Sequence, residues 1–364
     1  MRHARGPVKT HIKENRAQKT LTRHAILRKS IRSCPHHDIH YVEENGRRYC
    51  DGFHLMPNDE AELTRLNIIH QIYSAIFDGR LTTAPVTAES PRILDIGTGP
   101  GDWAIEMSAE YPNATIIASD LGVFDSGLAH LSLPNVDFQL ADAQAEWTFH
   151  EPFDLIHLRG LSGAFQDWRK IYAQAFTHLK PGGYIEISDI DLTAITISLS
   201  HSSSDPPATT TPSYLHTYAE AVRSATQEAG YPRDLHHLCT ELFTDAGFTD
   251  VNVLEHTIPI GLWPEDQNEK TVGKMALFVL LEGLEAYALR PLTRHARWSH
   301  EETLSLCENV KGELLAADRL TAPVRVVTAQ KPHSIWQKRD AVMERAAQRA
   351  KLFNERLVAE ERNV

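Results

Sequence analysis

Residues 92–103 read RILDIGTGPGDW, a short apolar run that ends in an acid and is followed by three alternating glycines. The apolar run predicts a buried strand, and the residues from Asp102 or Trp103 onward predict the start of a helix. Glycines permit a tight reversal between the two and let backbone N–H groups approach a ligand closely. This stretch therefore predicts a strand, a ligand-binding turn and a helix.

The spacing of the glycines separates two classes of ligand. A dinucleotide fingerprint requires G-x-G-x-x-G, whereas here the third glycine comes one residue early and Asp102 stands in its place. A pyrophosphate would meet that negative charge, so a nicotinamide-dependent oxidoreductase is the disfavoured alternative. Asp95, at the end of the predicted strand, suits a ligand with an ammonium or sulfonium centre, which is the charge pattern of S-adenosylmethionine.

Short apolar runs recur along the chain, and helical stretches separate most of them. The predicted strands are 92–96, 115–119, 136–140, 153–158, 184–188, 251–258 and 325–328. Parallel strands need crossover connections, and right-handed crossovers place helices on both faces of a sheet. We therefore expect an α/β fold with a doubly wound, seven-stranded Rossmann-like sheet. Further helices are predicted at 214–229 and 234–246, and a helical insert at 264–320 precedes the last strand.

Four segments flank or interrupt the predicted sheet domain of residues 91–332. Residues 1–40 form a basic arm that is expected to be disordered, and residues 41–90 form a capping segment with one amphipathic helix after the helix-start motif PNDE at 57–60. Residues 201–213 contain three prolines and predict a flexible loop. Residues 333–364 predict a charged terminal helix.

Charge and hydropathy exclude several classes of protein. Met1–Ser33 carries ten Lys or Arg and one acid, so a net charge of −11 for the whole chain leaves an acidic body. An acidic body argues against nucleic acid as a partner, and the arm is best explained as a solvated tail, with an import signal or a site for an acidic partner as alternatives. The longest apolar run, Met275–Leu281, is far below the roughly 20 residues of a membrane span. Four scattered cysteines favour a reducing interior, so a cytoplasmic or nuclear location is expected.

Acids also follow the next two predicted strands. Asp120 stands nineteen residues beyond Gly101, where a carboxylate can bind both hydroxyls of an adenosine ribose. Asp142 can accept a hydrogen bond from the adenine amino group, although such a residue is more often an ordinary helix cap. The predicted cofactor-binding set is Asp95, Gly97, Thr98, Gly99, Gly101, Asp120, Leu121, Asp142 and Ala143.

Further motifs accompany the glycine turn between about Tyr41 and Pro332. They read ENGRRY at 44–49, PNDE at 57–60, DLIHLR at 154–159, LKPGGY at 179–184 and LEGLE at 281–285. With them the sequence resembles class I S-adenosylmethionine-dependent methyltransferases, and more narrowly the fungal LaeA-like family associated with secondary metabolism. The resemblance implies S-adenosylmethionine as cofactor, bound around the three glycines, Asp120 and Asp142, with the upstream helix closing over it.

Within that resemblance two functions stay open. One is O- or N-methylation of a small secondary metabolite, and the other is nuclear regulation of secondary metabolism through protein partners. The loop at 201–213 and the apolar insert favour a small-molecule cleft, whereas the basic arm favours nuclear partners. Pro100 stands where the family usually has Thr, and the link between Tyr49 and Pro57 is shortened, which changes the lid.

The fourth predicted strand supplies the candidate residues for catalysis. His157, at its end, is the candidate general base for a hydroxyl or amine acceptor, although a histidine there also suits a hydrogen bond to the cofactor. Arg159 faces the same cleft and is a candidate for binding an acidic substrate. Pairing of Arg159 with Asp154 or Asp167 is the structural alternative.

Other polar and aromatic residues extend the set of candidates. Tyr49 and Trp147 are candidate substrate contacts, and tryptophans of this kind more often belong to a core. Asp189 and Asp191, after the fifth strand, are alternative acids of the cleft. The cluster CPHHDIH at 34–40 has ligand-type residues but no second pair at zinc-like spacing, so no metal site is expected. The sequence does not indicate an oligomeric state.

Overall fold

A computed structural model describes residues 41–50, 54–122, 133–192, 195–197, 213–317 and 319–333. The predictions for the basic arm, for most of the loop at 201–213 and for the terminal helix after 333 lie outside the described residues. Among the described helices, none combines the length and apolar character that a bilayer span needs.

A hairpin precedes the main fold, at the start of the predicted capping segment of residues 41–90. Strands β1 (Tyr41–Glu44) and β2 (Arg47–Cys50) pair antiparallel. The two residues between them, Asn45 and Gly46, have φ values of +53° and +74°, which suit the tight two-residue turn of a twisted hairpin. The strands are short and polar, so they carry little alternation from which to predict them.

Helix α1 (Glu60–Ile76) follows, where the helix-start motif predicted it. Its N-cap, Asp59, accepts a hydrogen bond from the Glu62 backbone N–H at 3.0 Å, and the same carboxylate binds Arg47 of the hairpin at 2.6 Å. The cap therefore satisfies an unpaired helix donor and also holds the hairpin against the start of α1.

The central sheet has eight strands, of which seven are long. They are β3 (Arg92–Ile96), β4 (Thr115–Asp120), β5 (Val136–Leu140), β6 (Phe153–Arg159), β7 (Leu179–Ile190), the two-residue β8 (Thr196–Ile197), β9 (Thr249–Ile260) and β10 (Leu320–Gln330). The order across the sheet is β5-β4-β3-β6-β7-β10-β9, and β8 extends the β7 side of β10. Strands β3 to β7 are parallel, and β10 runs antiparallel between β7 and β9. The predicted doubly wound α/β fold is confirmed.

Helices cover the sheet and build the insert. They are α2 (Asp102–Glu110), α3 (Trp168–His178), α4 (Tyr214–Glu228), α5 (Thr240–Ala246), α6 (Gln267–Arg294) and α7 (His300–Ala316). The helix predicted over 234–246 is divided, because Cys239 is extended (φ −74°, ψ 139°) between a 3₁₀ turn at His236–Leu238 and α5. Helices α6 and α7 form the predicted insert between β9 and β10.

The insert and α1 share one apolar core with the far end of the sheet. Ile72 and Tyr73 of α1 are buried in the same cluster as Leu280 and Leu284 of α6 and Val326 of β10. Burying these side chains stabilises the docking of α1 on α6. The two helices therefore form a roof over the carboxyl ends of the parallel strands.

Candidate active site

A cleft opens at the carboxyl ends of β3, β4, β6 and β7, beneath α1 and α6. Its atom-free space is about 1280 Å³, including the open mouth. Ligands of open α/β sheets bind at this edge. Eight of the predicted site residues line the cleft: Asp95, Gly97, Thr98, Gly99, Asp120, Leu121, His157 and Arg159.

The lining of the cleft divides into two parts. The glycine-turn half consists of Gly97, Thr98, Gly99, Asp120 and Leu121. The roof half consists of Tyr73, Arg159, Asp189, Arg233 and Tyr287. The first half comes from neighbouring strand ends, whereas the second combines five separate stretches of the chain.

The glycine turn uses backbone angles that other residues rarely adopt. Gly97, Gly99 and Gly101 have φ values of +67°, +55° and +83°. A Cβ on Gly97 would stand 2.4 Å from a methyl carbon of Leu161, so a larger residue there would displace that side chain and also strain the backbone at φ +67°. Gly101 does not line the cleft; it is the N-cap of α2, and its N–H donates to the Thr98 carbonyl at 2.9 Å. The turn thus brings the start of α2 to the cleft.

Asp120 closes the turn through its side chain. One carboxylate oxygen accepts the Gly99 N–H at 2.8 Å, and the other accepts the Gly122 N–H at 3.1 Å. Burial raises the pKa of Asp120 above its ordinary value, and the backbone N–H groups of Gly99 and Gly122 oppose that rise. A carboxylate has about four lone-pair sites, so Asp120 keeps capacity to accept a ligand hydroxyl beside its backbone donors.

A buried pair lies beneath the turn. Asp95 Oδ1 is 2.7 Å from His157 Nδ1, and the His157 ring stacks on Trp103 with centroids 3.8 Å apart. Trp103 is itself fixed because its indole N–H donates to the Leu81 carbonyl at 2.6 Å. The His157 ring is therefore held in one plane at the floor of the cleft.

Two buried oxygens beside this pair have no hydrogen-bond partner among the described residues. They are Asp95 Oδ2 and Thr98 Oγ1. A buried polar atom without a partner is costly, so such atoms at a site indicate that a ligand supplies the missing partner. Both suit a ligand that carries a positive charge and hydrogen-bond donors, as the sequence analysis expected for Asp95.

Arg159 is oriented by a chain of hydrogen bonds through His70. Its Nη2 donates to His70 Nδ1 at 2.8 Å, so the His70 proton is on Nε2, which lies 3.1 Å from a Glu106 oxygen. The guanidinium carbon lies 4.9 Å from the centre of the Tyr73 ring, and burial lowers the pKa of Arg159. Arg159, the last residue of β6, is thus positioned by His70 of α1 and not by Asp154 or Asp167.

The two acids that the sequence offered as partners of Arg159 lie elsewhere. Asp154 binds Lys180 at 2.7 Å and accepts the Arg92 N–H at 2.7 Å. Asp167 is the N-cap of α3 and accepts the Arg169 N–H at 2.9 Å.

A buried ion pair of α1 supports the roof half. Arg65 donates to Glu62 at 2.7 Å and to the Tyr287 hydroxyl at 2.5 Å. Burial alone would lower the pKa of Arg65, and the Glu62 carboxylate reverses the effect and raises it. Gly283 leaves room for this contact, since a Cβ there would stand 2.9 Å from the Tyr287 ring. Sequence reasoning missed this network, although charges three residues apart on an apolar helix face are a signal for it.

A second histidine–carboxylate pair borders the roof half. Asp189 Oδ2 is 2.7 Å from His237 Nε2, and Asp189 Oδ1 accepts the Ser162 N–H at 3.2 Å. His237 Nδ1 faces the Asp234 carbonyl at 3.0 Å, and the ring stacks on Trp168 at 4.3 Å. Both ring nitrogens of His237 therefore lie within hydrogen-bond distance of an oxygen, which fixes the orientation of the ring.

Four other predicted site residues lie outside the cleft lining. Tyr49 is fully buried with the Arg290 guanidinium 3.6 Å above its ring, and burial raises its pKa to about 12. Asp142 is exposed and accepts the Gln144 N–H at 2.8 Å. Ala143 follows it, and its carbonyl accepts the indole N–H of Trp147 at 2.9 Å. Trp147 therefore supports the turn after β5 instead of facing the cleft.

The described residues hold no group of three His, Cys, Asp or Glu side chains placed to bind a metal ion. The cluster CPHHDIH at 34–40 lies outside those residues.

Comparison with known proteins agrees with this geometry. A family model described as a methyltransferase domain matches residues 68–253. The chain belongs to this methyltransferase family. Methyltransferase pytC of Aspergillus terreus is 31% identical over 299 residues, which cover 80% of this chain and 89% of that protein. The secondary metabolism regulator LAE1 of Cochliobolus heterostrophus is 35% identical over 290 residues, 77% of this chain and 91% of the relative. The protein-methionine methyltransferase laeA of Emericella nidulans is 31% identical over 288 residues, which cover 75% of this chain and 71% of that protein.

The resemblance to LaeA-like methyltransferases is thus confirmed, and the chain is an S-adenosylmethionine-dependent methyltransferase. The cleft fits that cofactor. Its glycine-turn half offers the Asp120 carboxylate for hydroxyl groups, and the unpartnered Asp95 Oδ2 lies in the same lining. These groups present negative charge to a ligand whose sulfonium and ammonium groups are positive.

Proposed function

We propose that this methyltransferase transfers a methyl group to a small metabolite that binds in the roof half of the cleft. The observation that carries the proposal is the composition of that half. Tyr73 from α1 and Tyr287 from α6 supply aromatic walls, Leu192 adds apolar surface, and Arg159 and Asp189 add fixed polar groups. Apolar walls with a few oriented polar groups are typical of small-molecule sites.

The glycine-turn half is proposed to bind S-adenosylmethionine. Asp120 would accept the two ribose hydroxyls, and Gly97, Thr98 and Gly99 would approach the amino-acid part of the cofactor. The adenine would lie beside Leu121 toward Asp142 and Ala143. Two contacts support that direction: the Ala141 N–H donates to the Asp120 carbonyl at 2.9 Å, and Trp147 supports Ala143.

The bound cofactor supplies an electrophilic methyl group, and the chain supplies position and a proton acceptor. Asp95 Oδ1 accepts the proton-bearing Nδ1 of His157 at 2.7 Å, which leaves Nε2 as the ring nitrogen that can accept a proton. His157 Nε2 would take the proton that an acceptor oxygen or nitrogen loses when it displaces the thioether from the methyl group. Trp103 keeps the ring in place during this transfer.

The test uses the full chain with S-adenosylmethionine that carries an isotopically labelled methyl group. A fungal extract is separated into small molecules and polypeptides, each fraction is incubated with the protein, and label is located by mass spectrometry. The proposal expects label on a soluble compound, and Asp120→Asn as a matched control with reduced cofactor binding should suppress it. Label confined to polypeptides would refute a small-metabolite acceptor.

A regulatory role through protein partners is the second candidate, with a cytosolic or nuclear location. Two observations support it: the LAE1 relative is named a secondary metabolism regulator, and Met1–Ser33 has an excess of basic residues. Deletion of Met1–Ser33 separates the two roles. Unchanged turnover of a small acceptor by the shortened chain argues against a central role of the arm.

A further inference from the structure

We propose that the acceptor carries a planar oxyanion of the carboxylate class and that Arg233 binds it on the face of Tyr287. This inference rests on the proposed function, because it names the chemistry of the molecule that occupies the roof half. The sequence analysis did not identify Arg233. It lies in the loop between α4 and the 3₁₀ turn at His236–Leu238.

Arg233 enters the cleft on an aromatic support. Its guanidinium carbon is 3.9 Å from the centre of the Tyr287 ring, and its Nη1 is 3.4 Å from the sulfur of Met56. The Tyr287 hydroxyl is held by Arg65 at 2.5 Å, so the ring that carries Arg233 is itself fixed. A guanidinium on an aromatic face keeps its N–H edge available, and that edge matches a carboxylate in a two-bond geometry.

No described carboxylate lies within salt-bridge distance of Arg233, although several other arginines of the fold are paired with acids. Arg47 pairs with Asp59, Arg65 with Glu62, and Arg325 with Glu255. The chain has 48 acidic and 37 basic residues, so acids are abundant. A partly buried cation without a counter-ion is unfavourable, which indicates that a bound anion completes the arrangement.

The acids that line the roof half are already occupied. Asp189 binds His237 at 2.7 Å and the Ser162 N–H at 3.2 Å. Glu62, behind Tyr287, accepts both hydrogen bonds of the Arg65 fork. Neither carboxylate is placed to neutralise Arg233, so the positive charge of Arg233 faces the cleft.

Arg159 differs from Arg233 in its surroundings. The charges of Asp95 and Asp102 act on Arg159 and oppose the lowering of its pKa by burial. Its charge is therefore balanced in part by acids near the glycine turn. Arg159 Nη2 is also bound to His70 at 2.8 Å, whereas the hydrogen bond described for Arg233 goes to the weak acceptor sulfur of Met56 at 3.4 Å. Arg233 therefore has more donor capacity for an anion than Arg159.

The experiment measures weak binding to the full chain saturated with S-adenosylhomocysteine, by saturation-transfer NMR. The probes are three carboxylates and their neutral amides of the same shape: acetate and acetamide, benzoate and benzamide, 2-naphthoate and 2-naphthamide. A hydrogen bond between charged groups is stronger than one to a neutral amide, so at least one carboxylate is expected to bind about tenfold more tightly than its amide.

Three variants assign that preference to one side chain. Arg233→Met keeps the apolar stem and should abolish the carboxylate preference, whereas Arg233→Lys should keep part of it. Arg223→Met makes the same replacement at an exposed arginine of α4 and should leave the preference unchanged. In all three, the dissociation constant of S-adenosylhomocysteine should stay within about twofold of the parent value.

Two results would overturn the inference: equal binding of every carboxylate and its amide by the parent chain, or an undiminished preference in Arg233→Met. Weaker S-adenosylhomocysteine binding in Arg233→Met would also overturn it, since the cation would then serve the cofactor. Failure of the parent chain to bind S-adenosylhomocysteine at all would instead refute the proposed cofactor site.

Discussion

Replacement of Asp120 by Asn changes one oxygen of the carboxylate that closes the glycine turn. In the structure both oxygens accept backbone N–H groups, from Gly99 at 2.8 Å and from Gly122 at 3.1 Å. An Asn side chain has one acceptor oxygen, so its NH₂ group must face one of these two donors. One backbone hydrogen bond is lost, and the free energy of unfolding should fall by about 1–2 kcal/mol.

The effect on cofactor binding should be larger. The carboxylate is proposed to accept both ribose hydroxyls, and a hydrogen bond to a charged group is worth about 1.5–3 kcal/mol. The Asn variant keeps one neutral acceptor and loses the charge. We therefore expect a loss of about 2–3 kcal/mol, which is about 30- to 150-fold in the dissociation constant of S-adenosylhomocysteine.

Isothermal titration with S-adenosylhomocysteine measures this loss directly, and thermal unfolding of the same samples measures the stability change. Asp137→Asn is the matched control, because Asp137 is exposed on β5 and accepts a hydrogen bond from Gln139 at 2.7 Å. The control should bind like the parent chain. A dissociation constant for Asp120→Asn within twofold of the parent value would refute the assignment of Asp120 to the ribose.

Three further predictions test other parts of the account. Glu186→Gln should lower the free energy of unfolding by about 2–4 kcal/mol, because one buried Glu186 oxygen accepts hydrogen bonds from residues 82–84. Chemical denaturation measures this loss, and cofactor affinity should not change. His157→Gln should reduce turnover about 100-fold or more with nearly unchanged S-adenosylhomocysteine affinity, and equal turnover would exclude His157 as the proton acceptor. Burial raises the pKa of Asp120 above 3.8, so cofactor affinity should fall as pH falls through that raised pKa, because the carboxylate becomes protonated. The contribution of Asp120 to the free energy of unfolding is instead lost as pH rises through the same pKa. Titration and unfolding across pH 3.5–7 should therefore show opposite trends, and Asp120→Asn should show neither.

The parallel strands were predictable because each is a short, buried apolar run. Strands β3 and β5 have the predicted bounds, and β4 extends one residue further. Strand β7 begins five residues earlier than predicted, because the run Pro181-Gly182-Gly183 is a turn signal in a sequence, whereas here both glycines bond to the backbone of Lys331. Strand β10 was predicted only in its centre, since Pro323 interrupts the apolar pattern while its carbonyl still accepts the Asp191 N–H at 3.0 Å.

The glycine-turn half was predictable for a similar reason. Its residues follow consecutive strands of one sheet, so the topology alone brings Asp95 and Asp120 to the same edge. Arg233 and Tyr287 lie in a loop and in the insert, and only tertiary packing of α6 on α1 brings them to the cleft. No local pattern in the sequence marks such a pair.

Aromatic residue type was a weak guide to the site. Tyr49 and Trp147 have the chemistry of ligand contacts, yet Tyr49 is covered by Arg290, and Trp147 packs against Phe149 and His178. Whether a tyrosine or tryptophan belongs to a core or to a site depends on its neighbours in space, which single-residue reasoning does not supply.

The most direct test of the cofactor assignment is a crystal structure of the chain with S-adenosylhomocysteine. The account predicts that both ribose hydroxyls lie about 3 Å from the Asp120 carboxylate and that the sulfur atom faces the side of the cleft lined by Tyr73 and Arg159. A nucleoside bound elsewhere on the chain, or bound in the cleft without contact to Asp120, would contradict it.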